Sequence, residues 1–121
     1  DVRRRCGASI ALLSGDDFTT LPFLAQGGSG IISVASNVVP GHMRALVDAA
    51  KSGDVAKASS LSERLFPLFR DLFLESNPIP VKAAMAHLGL IEDGLRLPMT
   101  PMTEGPRSGL HATLDALQVS T

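Results

Sequence analysis

The chain has 121 residues, of which 45% are apolar, and its 11 basic and 12 acidic residues leave a net charge of −1. This length suits one ordinary domain and excludes a complete (β/α)8 barrel, which needs roughly 200 residues or more. The balanced charge excludes a global field that attracts nucleic acid or an anionic membrane, so we expect neither as a partner.

The first residues carry a basic run, Arg3-Arg4-Arg5, followed by the only cysteine, Cys6. The arginines have no aromatic neighbours on which bases could stack, so we interpret the run as the solvated end of an amphipathic helix. A single cysteine excludes an intrachain disulfide and favours a reducing, cytoplasmic location. There is no initiator Met, and a first strand opens almost at once, so we expect the chain to be part of something longer.

Two short apolar runs, residues 10–13 and 30–34, flank a helix-like span at residues 17–26. Both runs are too short for helices and too apolar for half-exposed strands, which predicts parallel strands buried on both faces. Two such strands would have uncovered edges, so some other sheet must complete them. Chemistry in α/β proteins lies at the carboxyl ends of the strands, here residues 14–17 and 33–37.

Two motifs in this region have both a functional and a structural interpretation. Gly27, Gly28 and Gly30 follow a helix and precede a strand, which is the reverse of a phosphate loop, so we predict a tight turn. Asp16 and Asp17 suggest a metal ligand or general base, but they directly precede the helix, and we expect them to cap its free amides.

The rest of the chain is predicted to be helical. Residues 40–50 form one helix closed by Gly53, and Asp54 caps a long helix in which Pro67 introduces a kink. Three phenylalanines widen the apolar face of this helix, so we expect it to be buried on more than one side; they are Phe66, Phe69 and Phe73.

Asn77 is expected to cap a helix over residues 78–88 that stops at Gly89. Residues 95–101 contain two prolines and are predicted to be extended. A last helix over residues 106–117 follows a start at Thr103 or Glu104, and its inner stripe consists of Leu110, Thr113, Leu114 and Leu117.

Isolated histidines and lysines give no sign of a site. The histidines show no i, i+3 or i, i+4 spacing, so we interpret each as a helix-surface or packed residue rather than a metal ligand; they are His42, His87 and His111. The lysines fall on predicted helices and are expected to be solvated; they are Lys51, Lys57 and Lys82. We predict no metal and no cofactor.

Several motifs occur in order along nearly the whole chain: residues 12–17, residues 27–34, Asn37, Asn77-Pro78-Ile79-Pro80-Val81-Lys82 and Leu95-Arg96-Leu97-Pro98-Met99-Thr100-Pro101. Together they resemble the carboxy-terminal part of dihydrodipicolinate synthase, a class I aldolase of the N-acetylneuraminate lyase family. The last two motifs favour the synthase over the sialic-acid lyases. The resemblance implies an α/β fold: the last strands and helices of a (β/α)8 TIM barrel, strands seven and eight, in residues 1–53, and a helical carboxy-terminal domain in residues 54–121.

The resemblance also implies an activity, the condensation of pyruvate with L-aspartate 4-semialdehyde through a lysine Schiff base, which gives 4-hydroxy-tetrahydrodipicolinate for lysine and diaminopimelate synthesis. It places Gly15 and the backbone carbonyl of Ile32 beside the bound pyruvate. The Schiff-base lysine and the tyrosine proton relay are expected upstream of Asp1, and this chain contains no tyrosine. We therefore expect no catalytic residue here and no activity from the chain alone.

The family is commonly a homotetramer, and the chain is expected to need the missing amino-terminal barrel portion as its partner. Two alternatives stay open. One is another pyruvate-dependent aldolase of the same family, such as a keto-sugar-acid lyase. The other is a non-catalytic helical assembly module that binds a partner supplying the missing strands.

Overall fold

A computed structural model describes residues 1–119 of the chain. The last two positions of the predicted 54–121 domain lie outside the described residues. Six helices, two short strands and one 3-10 helix follow one another within this range. They are α1 (Val2–Cys6), β1 (Leu13–Ser14), α2 (Thr20–Ala25), β2 (Gly30–Ile31), the 3-10 helix (Ala35–Asn37), α3 (Pro40–Ser52), α4 (Val55–Asp71), α5 (Ile79–His87) and α6 (Glu104–Ala116).

The two strands pair in parallel, as predicted, with Leu13 opposite Gly30 and Ser14 opposite Ile31. They are shorter than predicted, because Val34 already has right-handed helical geometry where it leads into the 3-10 helix. The expectation of burial on both faces is wrong for this chain, since Leu13 is 51% exposed. The reason is that β1 and β2 are the only strands among residues 1–119, so no neighbouring strand covers their open edges.

The turn between α2 and β2 confirms the structural interpretation of the glycines. Gly27 has a φ of 90°, a left-handed conformation that glycine adopts without strain. The amide of Gly28 donates to the carbonyl of Phe23 at 3.0 Å, which brings the chain back towards β1. The backbone of Gly28 lies against the Phe23 side chain and has no room for a Cβ atom.

The helices α3 and α4 begin and end close to their predicted limits. Gly53 closes α3 in the left-handed conformation with a φ of 81°. The Asp54 side chain then accepts a hydrogen bond from the Lys57 amide at 3.1 Å, which confirms the predicted N-cap of α4. Pro67 lies inside α4 as expected, and the kink stays a prediction.

The hydrophobic core lies among the helices rather than at the strands. Its buried residues start at Ala35 and come chiefly from α3, α4, α5 and α6. Leu46 and Leu65 are completely buried. The expectation that α4 is buried on more than one side is only partly correct, because Phe69 is buried while Phe66 is 52% exposed; Phe73, which lies beyond the end of α4, is 41% exposed. These rings instead gather around Phe18 on one surface of the molecule.

Two predictions about the last third of the chain are wrong in detail. Asn77 does not cap α5, because the amide of Ile79 donates to the Ser76 carbonyl at 2.9 Å and this turn makes Pro78 the N-cap residue. The predicted extended segment contains a turn, in which the Met99 amide donates to the Arg96 carbonyl at 3.1 Å.

Polar side chains fix α6 against α4 and the segment that follows α4. This helix begins at Glu104 with Thr103 as its N-cap residue, which confirms the predicted start at Thr103 or Glu104. Glu75 accepts a hydrogen bond from the Thr103 amide at 3.0 Å. Further along, the Thr113 hydroxyl donates to the buried Asp71 carboxylate at 2.6 Å. The inner stripe of α6 is confirmed, since Leu110 and Leu114 are buried.

Candidate functional site

The carboxyl ends of β1 and β2 lie side by side and carry the two predicted site residues. Gly15 follows Ser14 in one strand, and Ile32 follows its partner Ile31 in the other. The amide of Ile32 donates to the carbonyl of Ser14 at 2.8 Å, which continues the ladder one step beyond the paired residues. The structure therefore brings Gly15 and Ile32 to adjacent positions at one end of the strand pair.

Both positions are open to solvent. Ile32 is 71% exposed, and none of the described residues donates a hydrogen bond to its carbonyl oxygen. An added Cβ atom at Gly15 would meet nothing within 4 Å in this part of the chain. The arrangement thus offers an unoccupied backbone acceptor next to a position without a side chain, and a small ligand can approach both.

A local turn fixes the backbone around Gly15. The Ser14 hydroxyl donates to the carbonyl of Asp16 at 3.2 Å and accepts from the amide of Asp16 at 3.1 Å. Ser14 is buried, so these bonds satisfy a hydroxyl that has little access to water. Asp16 then accepts from the amide of Thr19 at 3.0 Å, but Thr19 is itself the N-cap residue of α2, so Asp16 fixes the turn before this helix and does not cap its free amides as predicted.

Asp17 does something that the sequence interpretation missed. It was expected to cap α2, but its Oδ2 accepts hydrogen bonds from the amides of Val34 and Ala35, at 3.1 and 3.0 Å. The prediction for Asp17 is therefore wrong: the carboxylate caps the 3-10 helix that follows β2. Asp17 is 2% exposed, and its Oδ1 has no hydrogen-bond partner among residues 1–119.

The strand register contains the signal that could have identified this contact. Ser14 pairs with Ile31, a separation of 17 positions, and Asp17 bonds Val34 across the same separation. Parallel strands place equivalent following residues at one edge of a sheet, so a register derived from the sequence would have placed these two together. The segment from residue 33 onward is also fixed locally, because the Ser36 amide donates to the Ser33 hydroxyl at 2.8 Å.

A separate cleft of about 300 Å³ lies between β2 and α3. Its walls are mostly apolar and include Ile31, Met43 and Val47. Its charged member, Arg44, forms an ion pair with Asp48 at 2.6 Å on the outer face of α3. Neither Gly15 nor Ile32 lines this cleft.

The histidines and lysines remain outside the strand-end site. His87 and His111 come from different helices and stack with ring centroids 3.9 Å apart, a contact that sequence spacing did not reveal. Desolvation of the ring, followed by the charges of His87 and Arg107, lowers the pKa of His111. Lys82 donates to the carbonyl of Gly94, which makes it a structural contact rather than a free nucleophile.

Neither a metal cluster nor a membrane span is found in the part of the chain that the structure describes. Within residues 1–119, no three histidine, cysteine or acidic side chains are grouped so as to hold a metal ion. Over the same residues, no helix has the length and apolar character needed to cross a membrane.

Comparison with known proteins gives matches along nearly the whole chain. The model of the dihydrodipicolinate synthetase family matches residues 1–117. The 4-hydroxy-tetrahydrodipicolinate synthase of Syntrophus aciditrophicus is 50% identical over 114 residues, which cover 94% of this chain and 39% of the relative. That of Thioalkalivibrio sulfidiphilus is 50% identical over 120 residues, covering 99% of this chain and 41% of the relative.

Solved structures give the same result. The crystal structure of dihydrodipicolinate synthase from Aquifex aeolicus superposes with a TM-score of 0.95 at 42% identity, covering 98% of this chain and 40% of that one. The chloride-inhibited synthase from Acinetobacter baumannii, crystallised with pyruvate, gives a TM-score of 0.92 at 36% identity, with coverage of 98% and 40%. The chain thus spans about two fifths of the length of the relatives it matches.

Proposed function

The chain belongs to the dihydrodipicolinate synthetase family, and we propose that it forms the carboxy-terminal part of a synthase. That synthase condenses pyruvate with L-aspartate 4-semialdehyde through a lysine Schiff base and yields 4-hydroxy-tetrahydrodipicolinate. The observation that carries the proposal is the juxtaposition of Gly15 and Ile32 at the carboxyl ends of two parallel strands, in a chain about half identical to named synthases.

The proposed division of the chain follows its two kinds of structure. Residues 1–53 contribute strands seven and eight of a (β/α)8 barrel with their helices, and residues 54–121 form a helical carboxy-terminal domain. The exposed edges of β1 and β2 support this division, since a two-stranded parallel sheet needs further strands to bury its faces. The missing barrel portion is then the first partner of this chain.

In the proposed site, Gly15 and the Ile32 carbonyl contact pyruvate, and the chain supplies no nucleophile. A Schiff base requires a lysine whose amine is deprotonated in a shaped, poorly solvated pocket. Lys51 and Lys57 are exposed, and Lys82 is engaged with Gly94. A free backbone carbonyl such as that of Ile32 can orient a hydroxyl or an enamine proton without adding a competing nucleophile.

We further propose a homotetramer in the cytoplasm. Exposed apolar side chains within and just after α4 support contacts beyond this chain, because Phe66 and Phe73 gather around Phe18 in one surface patch. The one free cysteine, Cys6, is exposed, which suits a reducing compartment.

The test uses the full-length protein that contains this chain. It is incubated with pyruvate, reduced with borohydride and mapped by peptide mass. We expect one pyruvate adduct on a lysine outside residues 1–121, and turnover when L-aspartate 4-semialdehyde is added. An adduct on Lys51, Lys57 or Lys82 would contradict the proposed site, and turnover of keto-sugar acids instead would move the protein to another aldolase of the family.

Gly15→Ala sharpens this test because the described structure has room for the added methyl group. We expect the variant to keep its thermal midpoint and to show a pyruvate KM raised by about tenfold, since the methyl group intrudes on bound pyruvate rather than on the protein. An unchanged pyruvate KM would place Gly15 away from the substrate.

A further inference from the structure

We propose that Asp17 is a positioning residue that holds the Ile32 carbonyl beside Gly15 in the pyruvate site. The proposal rests on the proposed function, and it concerns a residue that does not itself touch the substrate. Asp17 joins two loops that otherwise belong to different βα units, the loop after β1 and the loop after β2.

The hydrogen bonds of Asp17 join the loop after β1 to the loop after β2, close in sequence to the two proposed pyruvate contacts. Its Oδ2 accepts from the amides of Val34 and Ala35, which lie two and three residues beyond Ile32. On its own side, Asp17 lies two residues beyond Gly15. One carboxylate therefore joins the two loops within two or three residues of each candidate pyruvate contact.

Burial makes this clamp strong and specific. Asp17 is 2% exposed, and a carboxylate is a stronger acceptor of amide hydrogen bonds than a neutral oxygen. Ala35 is completely buried, so water has little access to its amide. Without the carboxylate, the segment at Val34 and Ala35 loses its fixed distance to the first loop, and the Ile32 carbonyl moves with it.

The second oxygen of Asp17 makes an asparagine variant informative. Oδ1 is buried and accepts no hydrogen bond from any of residues 1–119. An asparagine at the same position keeps one acceptor oxygen, of neutral character, and replaces the other by an amide donor.

The test measures steady-state kinetics of the full-length protein with Asp17→Ala, Asp17→Asn and the control Asp54→Ala. Asp54 is also a carboxylate that caps a helix by accepting a backbone amide, but it lies at the start of α4, away from the strand ends. We expect Asp17→Ala to raise the pyruvate KM by about tenfold, because a displacement of about 1 Å at a reacting group costs up to about 100-fold. Asp17→Asn should raise it by about threefold, since a neutral acceptor holds the amides less tightly.

The control separates positioning from stability. We expect Asp54→Ala to lower the thermal midpoint while leaving the pyruvate KM within about twofold. A purely structural Asp17 would reduce kcat in proportion to the folded fraction and leave the pyruvate KM unchanged, and that result would overturn the proposal. If Asp17→Ala does not fold, the test rests on Asp17→Asn, and an unaltered pyruvate KM in that variant refutes the positioning role of Asp17.

Failure of the proposed function has a different signature. The wild-type protein would then form no borohydride-trapped pyruvate adduct at all. A wild-type adduct combined with unchanged KM values in both Asp17 variants would leave the function standing and remove only the positioning role.

Discussion

The buried hydrogen bond between Asp71 and Thr113 provides the sharpest test of how the helical part is held together. Asp71 in α4 is 3% exposed at its side chain, and it accepts from the Thr113 hydroxyl of α6 at 2.6 Å. Its other oxygen pairs with Arg70 at 2.7 Å, but Arg70 is 60% exposed. The hydrogen bond to Thr113 should therefore account for most of what Asp71 contributes to the free energy of unfolding.

The expected magnitudes follow from these contacts. Thr113→Val keeps the shape and removes the donor, and a hydrogen bond to a charged group contributes about 1.5–3 kcal/mol. Asp71→Ala loses this bond and the ion pair with Arg70, which adds little because water screens it. We expect a loss of about 1.5–3 kcal/mol for Asp71→Ala, and a coupling energy of about 1.5–3 kcal/mol between the two positions.

The assay is urea unfolding of the full-length protein, followed by far-ultraviolet circular dichroism, for both single variants and the double variant. Thr100→Val is the matched control, because Thr100 is exposed, and it should change the free energy of unfolding by less than about 0.5 kcal/mol. A coupling energy below about 0.5 kcal/mol would refute the reasoning, since the two side chains would then contribute independently.

Two further predictions concern the turn before β2 and the stacked histidines. Gly28→Ala should destabilise the protein by about 1–3 kcal/mol in the same assay, because the new Cβ atom would meet the Phe23 ring and lie 2.8 Å from the Phe23 carbonyl oxygen; a loss below about 0.5 kcal/mol would show that the turn adjusts freely. For His111, burial beside His87 and Arg107 lowers the pKa, although Asp115 and Glu104 oppose this. The folded state therefore disfavours protonation of the His111 ring. The contribution of neutral His111 to the free energy of unfolding is complete above the ordinary pKa of about 6.5 and is lost as pH falls below it. When the pH is lowered from above that value to below it, we expect the unfolding midpoint of His111→Gln to fall less than that of the wild type. Equal falls would contradict the lowered pKa of His111.

Local sequence signals predicted the helices well because each signal acts within one turn. Gly53 and Asp54 mark the end of α3 and the start of α4 by a left-handed closure and a side-chain cap, and both functions depend only on adjacent backbone. The parallel pairing of the strands was also predictable, from two short apolar runs separated by a helix.

The failures arose where a distant residue decided the outcome. Asp17 precedes α2 and was assigned to it, but the amides of Val34 and Ala35, brought close by the strand register, took its carboxylate instead. The contact between His87 and His111 likewise depends on how α5 packs against α6, which helical spacing within one element cannot reveal. Exposure of Leu13 reflects the lack of covering strands among the described residues and not the apolar character of the run.

In the candidate site, the positions of Gly15 and Ile32 followed from the family resemblance, and the structure adds the geometry that joins them. Sequence patterns identify side chains, whereas the proposed contacts here are a backbone carbonyl and a glycine. Neither leaves a recognisable signal in composition or spacing. The contact of Asp17 is hard to recognise from residue types, because its partners are amides that every residue except proline possesses, and only the strand register points to it.

The cap that Glu75 provides for α6 bears on how this family can vary in length. Glu75 reaches the Thr103 amide from 28 positions earlier, so the first residue of α6 is fixed by a contact that bypasses the intervening chain. Lengthening the irregular stretch between α5 and Thr103 costs little in closure entropy, since each doubling of a loop costs only about 0.6 kcal/mol. The contact between Glu75 and the Thr103 amide therefore gives α6 a starting point against α4 that does not depend on the length of this stretch.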